Sequence, residues 1–271
     1  MTTQFLMLAD GKIAYDDQGA GPLVVCVPGM GDLRDQYRFL AQDLVAAGYR
    51  VIKMDPRGVG ESSAVWDDYS VGAIGQDIIA LIKHLNAGAA LICGHSMAAG
   101  AAVCAAAAAP DLVAGLVLLG GFVRDTGPLW LTRLMYGVLL ARPWGQALWK
   151  MYFKRLYPTR KPADFATYVA RQNAMLSEPG RLRALQQMMR ASKIAAEQRL
   201  DQVKAPVLVV MGSKDIDFPK PEAEAQLVAD RLRGQVFMVD GAGHYPHTEF
   251  PEVAGPKIVA FLKEAWKVSA R

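Results

Sequence analysis

A serine set in Gly94-His95-Ser96-Met97-Ala98, an aspartate ending Gly212-Ser213-Lys214-Asp215 and a histidine ending Gly241-Ala242-Gly243-His244 follow one another along the chain. These residue types can perform nucleophilic catalysis. A serine hydroxyl is a weak nucleophile near neutral pH, so it needs an imidazole to take its proton, and the imidazole needs a carboxylate to fix its tautomer and stabilise the cation. Asp215 fits the Gly-x-x-Asp spacing of a loop that would carry such a carboxylate, with Asp217 two residues on as its competitor. On its own the serine pattern is weak, because glycine is common enough for short motifs of this kind to recur by chance.

The elements around these residues give the pattern its weight. Residues 23–27, 51–54, 91–93 and 116–119 are short apolar runs bounded by Gly, Pro or Asp, which predicts buried parallel strands. Residues 33–47 and 69–85 have helical spacing between them, with Ile74, Ile78, Leu81, Ile82 and Leu85 on one face. The alternation resumes with a strand at 207–211, a helix near 221–232, a strand at 235–239 and a closing helix at 253–268. Such alternation predicts an α/β fold, a parallel sheet covered by helices. Ser96, Asp215 and His244 then all fall just beyond carboxyl ends of strands, the usual ligand edge of such sheets. Residues 122–203 break the alternation: Trp144, Leu148, Trp149, Tyr152, Phe153 and Leu156 describe one broad apolar helical face, so an all-helical insertion is expected there. Residues 98–109 are alanine-rich and predict a helix packed close to the sheet.

Composition narrows the class of protein. The 271 residues are 52% hydrophobic and 21% charged, which suits one main domain with a large core and excludes a disordered chain. Its most apolar region, 129–140, is interrupted by Arg133, so no membrane span is expected. The N-terminal residues lack a basic and apolar leader pattern, and a cytoplasmic location is the expectation. Cys26, Cys93 and Cys104 are too few for a disulfide scaffold and sit in small or apolar runs, as reduced buried thiols do. His244 and His247 could pair on a metal, but Pro246 between them opposes a helical ligand pair and no motif places a third ligand, so no metal is expected. Gly58-Val59-Gly60 has Ser63 where a dinucleotide loop needs its third glycine, and no phosphate loop is present. No cofactor is implied. His95 is expected to support the serine structurally, and His84 to lie on a helix without chemistry. Charge is uneven: residues 124–200 carry 14 basic and 4 acidic side chains, a net +10 against −6 elsewhere. A positive face would attract anionic substrates or an anionic lipid surface.

Taken together, the motifs resemble the α/β-hydrolase superfamily, specifically its capped, single-domain, esterase-like members, over essentially the whole chain. Pro28-Gly29-Met30-Gly31 resembles the oxyanion loop after the third strand, and residues 55–62 the turn after the next strand. The chain departs from many members in having Pro28 before the glycine, where they have His, and Ala98 in place of the motif's last glycine. The resemblance implies a mostly parallel, eight-stranded sheet with helices on both faces, formed by residues 1–121 and 204–271. Residues 122–203 would be a helical cap. It also implies Ser96 as nucleophile, His244 as base, Asp215 as its carboxylate and the backbone N–H groups of Met30 and Met97 as oxyanion donors. Asp125, soon after the strand ending at Leu119, stands where some members place the acid. The expected activity is hydrolysis of an ester-like bond of a small, largely apolar substrate, with Trp130, Met135, Trp144 and Met151 as candidates for its pocket. Carbon–carbon bond hydrolases, lactonases and perhydrolases use the same triad, and a ligand-sensing protein can retain the fold. A small molecule is the expected partner and a homodimer is open; neither nucleic acid nor integral membrane association is expected.

Overall fold

A computed structural model describes residues 2–125 and 127–269. Eight strands form one sheet: β1 (Gln4–Leu8), β2 (Gly11–Gln18), β3 (Leu23–Val27), β4 (Arg50–Met54), β5 (Ala90–His95), β6 (Val113–Leu119), β7 (Val207–Gly212) and β8 (Gln235–Val239). Their spatial order is β1-β2-β4-β3-β5-β6-β7-β8. The first two strands pair antiparallel, with each other and with β4, and the rest are parallel. The six strands expected from apolar runs are all present. β1 and β2 were not among those runs because their residues alternate in burial or carry acids, Asp16 and Asp17 among them.

Every residue of β3, β5, β6 and β7 is buried, because helices cover both faces. On one face Val24 and Cys26 pack with α1 (Arg38–Ala46) and the closing helix, while on the other Leu23, Val25 and Val27 pack with α2 (Val71–Leu85) and α3 (Met97–Ala108). α2 starts where the Ser70 side chain accepts the Ala73 N–H and stops at Asn86, which is left-handed. α3 is buried from Met97 to Ala106, and its small side chains let it lie between α2 and the sheet. The three cysteines are free and buried, as expected.

Between β6 and β7 the chain forms α4 (Leu129–Leu139), α5 (Gly145–Arg155), α6 (Phe165–Ser177), α7 (Arg181–Arg190) and the single turn α8 (Ile194–Glu197). The core resumes with α9 (Pro221–Leu232), the short α10 (Pro246–Glu249) and α11 (Pro251–Ser269). Among the described residues no helix is long and apolar enough to cross a membrane. Successive parallel strands run outward on opposite sides of the β3/β5 boundary, so the loops leaving these two strands flank a topological switch point.

The loop after β3 is tied to the turn after β4 by one buried carboxylate. Asp55, fully buried, ion-pairs with the Arg34 guanidinium and accepts the backbone N–H groups of Arg34 at 2.8 Å and Glu61 at 3.0 Å. Arg34→Met would leave that carboxylate without its cation and is expected to lower stability by about 3 kcal/mol in a urea titration; a loss under about 1 kcal/mol would contradict this anchoring role.

Candidate active site

Ser96 stands between β5 and α3 with φ +53° and ψ −122°, a conformation few non-glycine residues adopt. Backbone bonds impose it: Ser96 N–H donates to the Leu119 carbonyl at 2.9 Å, while the Ser96 carbonyl accepts the N–H groups of Ala99 and Phe122, each at 3.0 Å. The chain reverses so tightly that a Cβ at Gly94 would sit 2.5 Å from the Ala98 carbonyl oxygen. Ala98 itself is buried in the core, so the motif's missing last glycine is accommodated. The loop after β3 presses against this turn, and a Cβ at Gly29 would lie 2.9 Å from the Ser96 Cβ. Neither the Met30 nor the Met97 N–H has an acceptor among the described residues. Met97 opens α3, where helix N–H groups lack internal partners.

The loops after β7 and β8 bring a carboxylate to the imidazole. His244 Nδ1 donates to Asp215 Oδ2 at 2.8 Å, both side chains being almost wholly buried. Asp215 Oδ1 accepts the Asp217 N–H at 3.0 Å, and Asp217 Oδ2 lies 3.5 Å from the same His244 nitrogen. Tyr152 of α5 donates its hydroxyl to the other Asp217 oxygen. Two carboxylates therefore flank one ring. Burial opposes protonation of His244, yet the charges of Asp215 and then Asp217 outweigh it and hold its pKa up at about 9. This exceeds the near-neutral value of an ordinary imidazole. Because the folded pKa lies above the unfolded one, this interaction stabilises the fold fully below about pH 6.5 and is lost as pH rises through about 9. Burial raises the Asp217 pKa against the pull of His244, so its carboxyl also holds its proton more tightly than usual.

His95 and His247 do other work. His95 donates from Nε2 to the His244 carbonyl at 2.9 Å and packs its ring at a tilt against Tyr245 with ring centres 4.4 Å apart, steadying the loop. Its burial and the neighbouring His244 and His247 push its pKa well down, so it stays neutral. His247 lies 3.2 Å from the Gln36 amide nitrogen, and burial, Arg38 and His244 lower its pKa to about 3. The pairing of His244 with His247 on a metal is not what the fold assembles: ligand atoms of His244, Asp215 and Asp217 lie within 4.8 Å of one another instead. The 2.8 Å Nδ1 to Oδ2 separation is that of a hydrogen bond holding the imidazole proton. Asp125 lines the same cavity but makes no ion pair with His244 among the described residues; it accepts the Ser192 hydroxyl and the Lys193 N–H at the start of α8. His84 is exposed on α2, as expected.

Ser96 and His244 line one cavity of about 130 Å³ with Gly29, Met30 and, from the helical insertion, Tyr136, Trp149 and Tyr152. No hydrogen bond joins Ser96 Oγ to His244 among the described residues. Contrary to expectation, Trp130, Met135, Trp144 and Met151 do not form the pocket: each is exposed on α4, α5 or the turn between, and none lines the cavity. α4 and α5 present instead the residues on their opposite sides. The bond from Tyr152 to Asp217 and the burial of Asp32, whose Oδ1 accepts the Tyr168 hydroxyl at 2.6 Å, leave no signal in the sequence, since each depends on contact between segments far apart in the chain. Burial raises Asp32 to a pKa of about 6 despite that bond.

The α/β hydrolase fold family's sequence profile matches residues 22–251, and the chain belongs to that family of hydrolases. It is 27% identical to a 2-hydroxy-6-oxononadienedioate/2-hydroxy-6-oxononatrienedioate hydrolase of Klebsiella pneumoniae, over 97% of this chain and 96% of that one. It is 29% identical to a 2-(acetamidomethylene)succinate hydrolase of Mesorhizobium japonicum, covering 93% of this chain and 92% of the other. Among solved structures, an esterase from Exiguobacterium antarcticum superposes with a TM-score of 0.85 at 20% identity, over 97% of this chain and all of the other. The eight-stranded α/β hydrolase architecture that the family resemblance implied is thus the fold observed.

The two carboxylates make a measurable claim. NMR titration of the His244 ring should give a midpoint near pH 9, and Asp217→Asn should move it toward lower pH because a flanking negative charge is removed. A midpoint unmoved by Asp217→Asn would contradict the arrangement.

Proposed function

We propose that this chain is a serine hydrolase that cleaves an ester-like bond of a small, largely apolar substrate through an acyl-enzyme. The observation that carries the reading is the 2.8 Å His244–Asp215 bond on a ring that shares its cavity with a serine held at φ +53°. In the first step Ser96 Oγ attacks the carbonyl carbon while His244 Nε2 takes the hydroxyl proton. The tetrahedral oxygen accepts the unused N–H groups of Met30 and Met97, which stabilise charge that develops only in the transition state. His244 returns the proton to the departing alcohol, leaving the acyl group on Ser96. Water then attacks with His244 again as base, and the acid is released. Asp215 fixes the Nδ1–H tautomer and stabilises the imidazolium, Asp217 adds a second negative charge, and the 122–203 insertion acts as a lid whose Tyr136, Trp149 and Tyr152 shape the acyl site.

One feature favours a second reading on the same three residues, cleavage of a carbon–carbon bond or lactone in a carboxylate-bearing substrate. The buried Lys193 at the cavity wall donates its ammonium to the Ala191 carbonyl at 2.9 Å; burial lowers its pKa, the Asp125 carboxylate on the same cavity opposes that, and no carboxylate among the described residues lies within ion-pair distance of it. It is available to a substrate carboxylate. The names of the Klebsiella and Mesorhizobium relatives specify a dioate and a succinate derivative as their substrates.

A panel of neutral esters, lactones and vinylogous keto acids separates the two readings. In either case Ser96→Ala and His244→Ala are expected to lower kcat by a factor on the order of 10⁴ to 10⁶, with a smaller loss for Asp215→Asn. Asp217→Asn should be far milder than Asp215→Asn, and chelation should change nothing. Since His244 must be neutral to accept the serine proton, kcat/KM should rise with pH through an apparent pKa near 9, above the ordinary imidazole range. Full turnover by Ser96→Ala, or activity lost in a chelator and restored by a divalent ion, would overturn the mechanism.

A further inference from the structure

Half of the sixteen large apolar side chains exposed among the described residues lie between positions 130 and 151. Scattered singly, such residues would call for no explanation; gathered on two adjacent helices they form a patch. On α4, Trp130, Leu134 and Val138 recur at i, i+4 and i+8, and Leu131, Met135 and Leu139 follow one position on. These are neighbouring stripes of one helix. Trp130 is 70% exposed and Leu134 60%. The opposite side of α4 is the one already used, since Tyr136 lines the cavity and the helix packs on α7 and α5. The outward stripes are therefore left over after the fold and the cavity have been built. Trp144, in the turn to α5, and Met151 on α5 extend the patch.

Charge identifies what covers it. Residues 127–163 contain seven Lys and Arg and not one Asp or Glu. Arg160 pairs with Glu252 and Lys161 reaches the Tyr157 carbonyl, and Arg133 donates to the Arg190 carbonyl. Arg142, Lys150, Lys154 and Arg155 have no acidic partner among the described residues. Lys154 and Arg155 stand three and four positions beyond Met151, so on α5 the cations and the exposed methionine share one side of the helix. A second copy placed across a two-fold axis would set this cationic region against itself, which like-charge repulsion opposes. An anionic lipid surface accepts both components: apolar side chains and tryptophans below the headgroups, lysines and arginines at the phosphates.

We propose that the outward face of α4, with the cationic side of α5, docks this protein on an anionic lipid surface. The attachment is peripheral, because no described helix spans a bilayer. Gly127, just before the docked helix, and Tyr136, on that helix's inner side, line the catalytic cavity, so docking would hold the cavity close to the lipid headgroups. The proposal is independent of the catalytic roles assigned above, and Ser96→Ala should bind vesicles as the unsubstituted chain does.

Cosedimentation of the whole chain with phosphatidylcholine vesicles, and with equimolar phosphatidylcholine and phosphatidylglycerol vesicles, tests it. Binding to the anionic vesicles should exceed binding to the neutral ones, weaken as salt is added, and shift tryptophan emission to the blue. Leu134→Glu/Val138→Glu and Lys154→Glu/Arg155→Glu alter exposed side chains only. Each pair should reduce the affinity by about tenfold or more while thermal unfolding and turnover of a soluble neutral ester stay unchanged. Absence of binding to anionic vesicles, equal binding to neutral ones, or undiminished binding by either double variant would each overturn the proposal. So would a dimer in sedimentation equilibrium that Leu134→Glu/Val138→Glu dissolves, since a second copy would then be the occupant.

Discussion

The strained backbone at Ser96 is the constraint on which the site depends. A non-glycine residue at φ +53° persists only where its surroundings over-determine it, at a cost of about 1 to 3 kcal/mol. Here the Leu119 carbonyl holds its N–H, and the N–H groups of Ala99 and Phe122 hold its carbonyl. Those partners belong to β6, α3 and the start of the insertion, so the order of the parallel strands is itself part of the restraint. The same turn leaves the Met97 N–H without an acceptor among the described residues and brings the Gly29 loop against the serine. A stable sheet thereby supports a local conformation that the segment would not adopt alone.

The second constraint is electrostatic. Asp215 comes from the loop after β7 and His244 from the loop after β8, and these neighbouring strands set the separation of the two side chains. Asp217 adds a second carboxylate, and Tyr152 of α5 donates to it, so the helical insertion contributes directly to the environment of the imidazole. His95 holds the histidine loop from below through the His244 carbonyl. The insertion thus has two sides with different chemistry. One side reaches the imidazole's carboxylates, while the other carries exposed apolar side chains and cations, Lys154 and Arg155 among them, that have no acidic partner among the described residues.

Much of this was legible in the sequence, for definite reasons. Buried parallel strands are continuous apolar runs, so β3 and β8 were bounded correctly and β4 to β7 located to within a few residues. β1 and β2, partly exposed and carrying polar residues, lacked that feature and entered only through the resemblance to a family. The meeting of His244 with Asp215, in a cavity shared with Ser96, was legible because all three follow the carboxyl ends of strands at one edge of the sheet. The pocket was misassigned because periodicity identifies the apolar residues of a helix but not which of two apolar stripes faces inward: Tyr136 and Trp149 line the cavity, whereas Met135 and Met151 face out. The bond from Tyr152 to Asp217 and the burial of Asp32 escaped because a contact across 65 or 136 residues leaves no local pattern.

In the proposed mechanism Ser96 is a nucleophile activated by His244. Its most direct test is to incubate the protein with a fluorophosphonate and map the adduct by peptide mass spectrometry. A single phosphonyl group on Ser96, formed rapidly in the unsubstituted protein and lost or strongly slowed in His244→Ala, is the expected result. An adduct on another residue, or one that forms on Ser96 equally fast without His244, would rule out that activation.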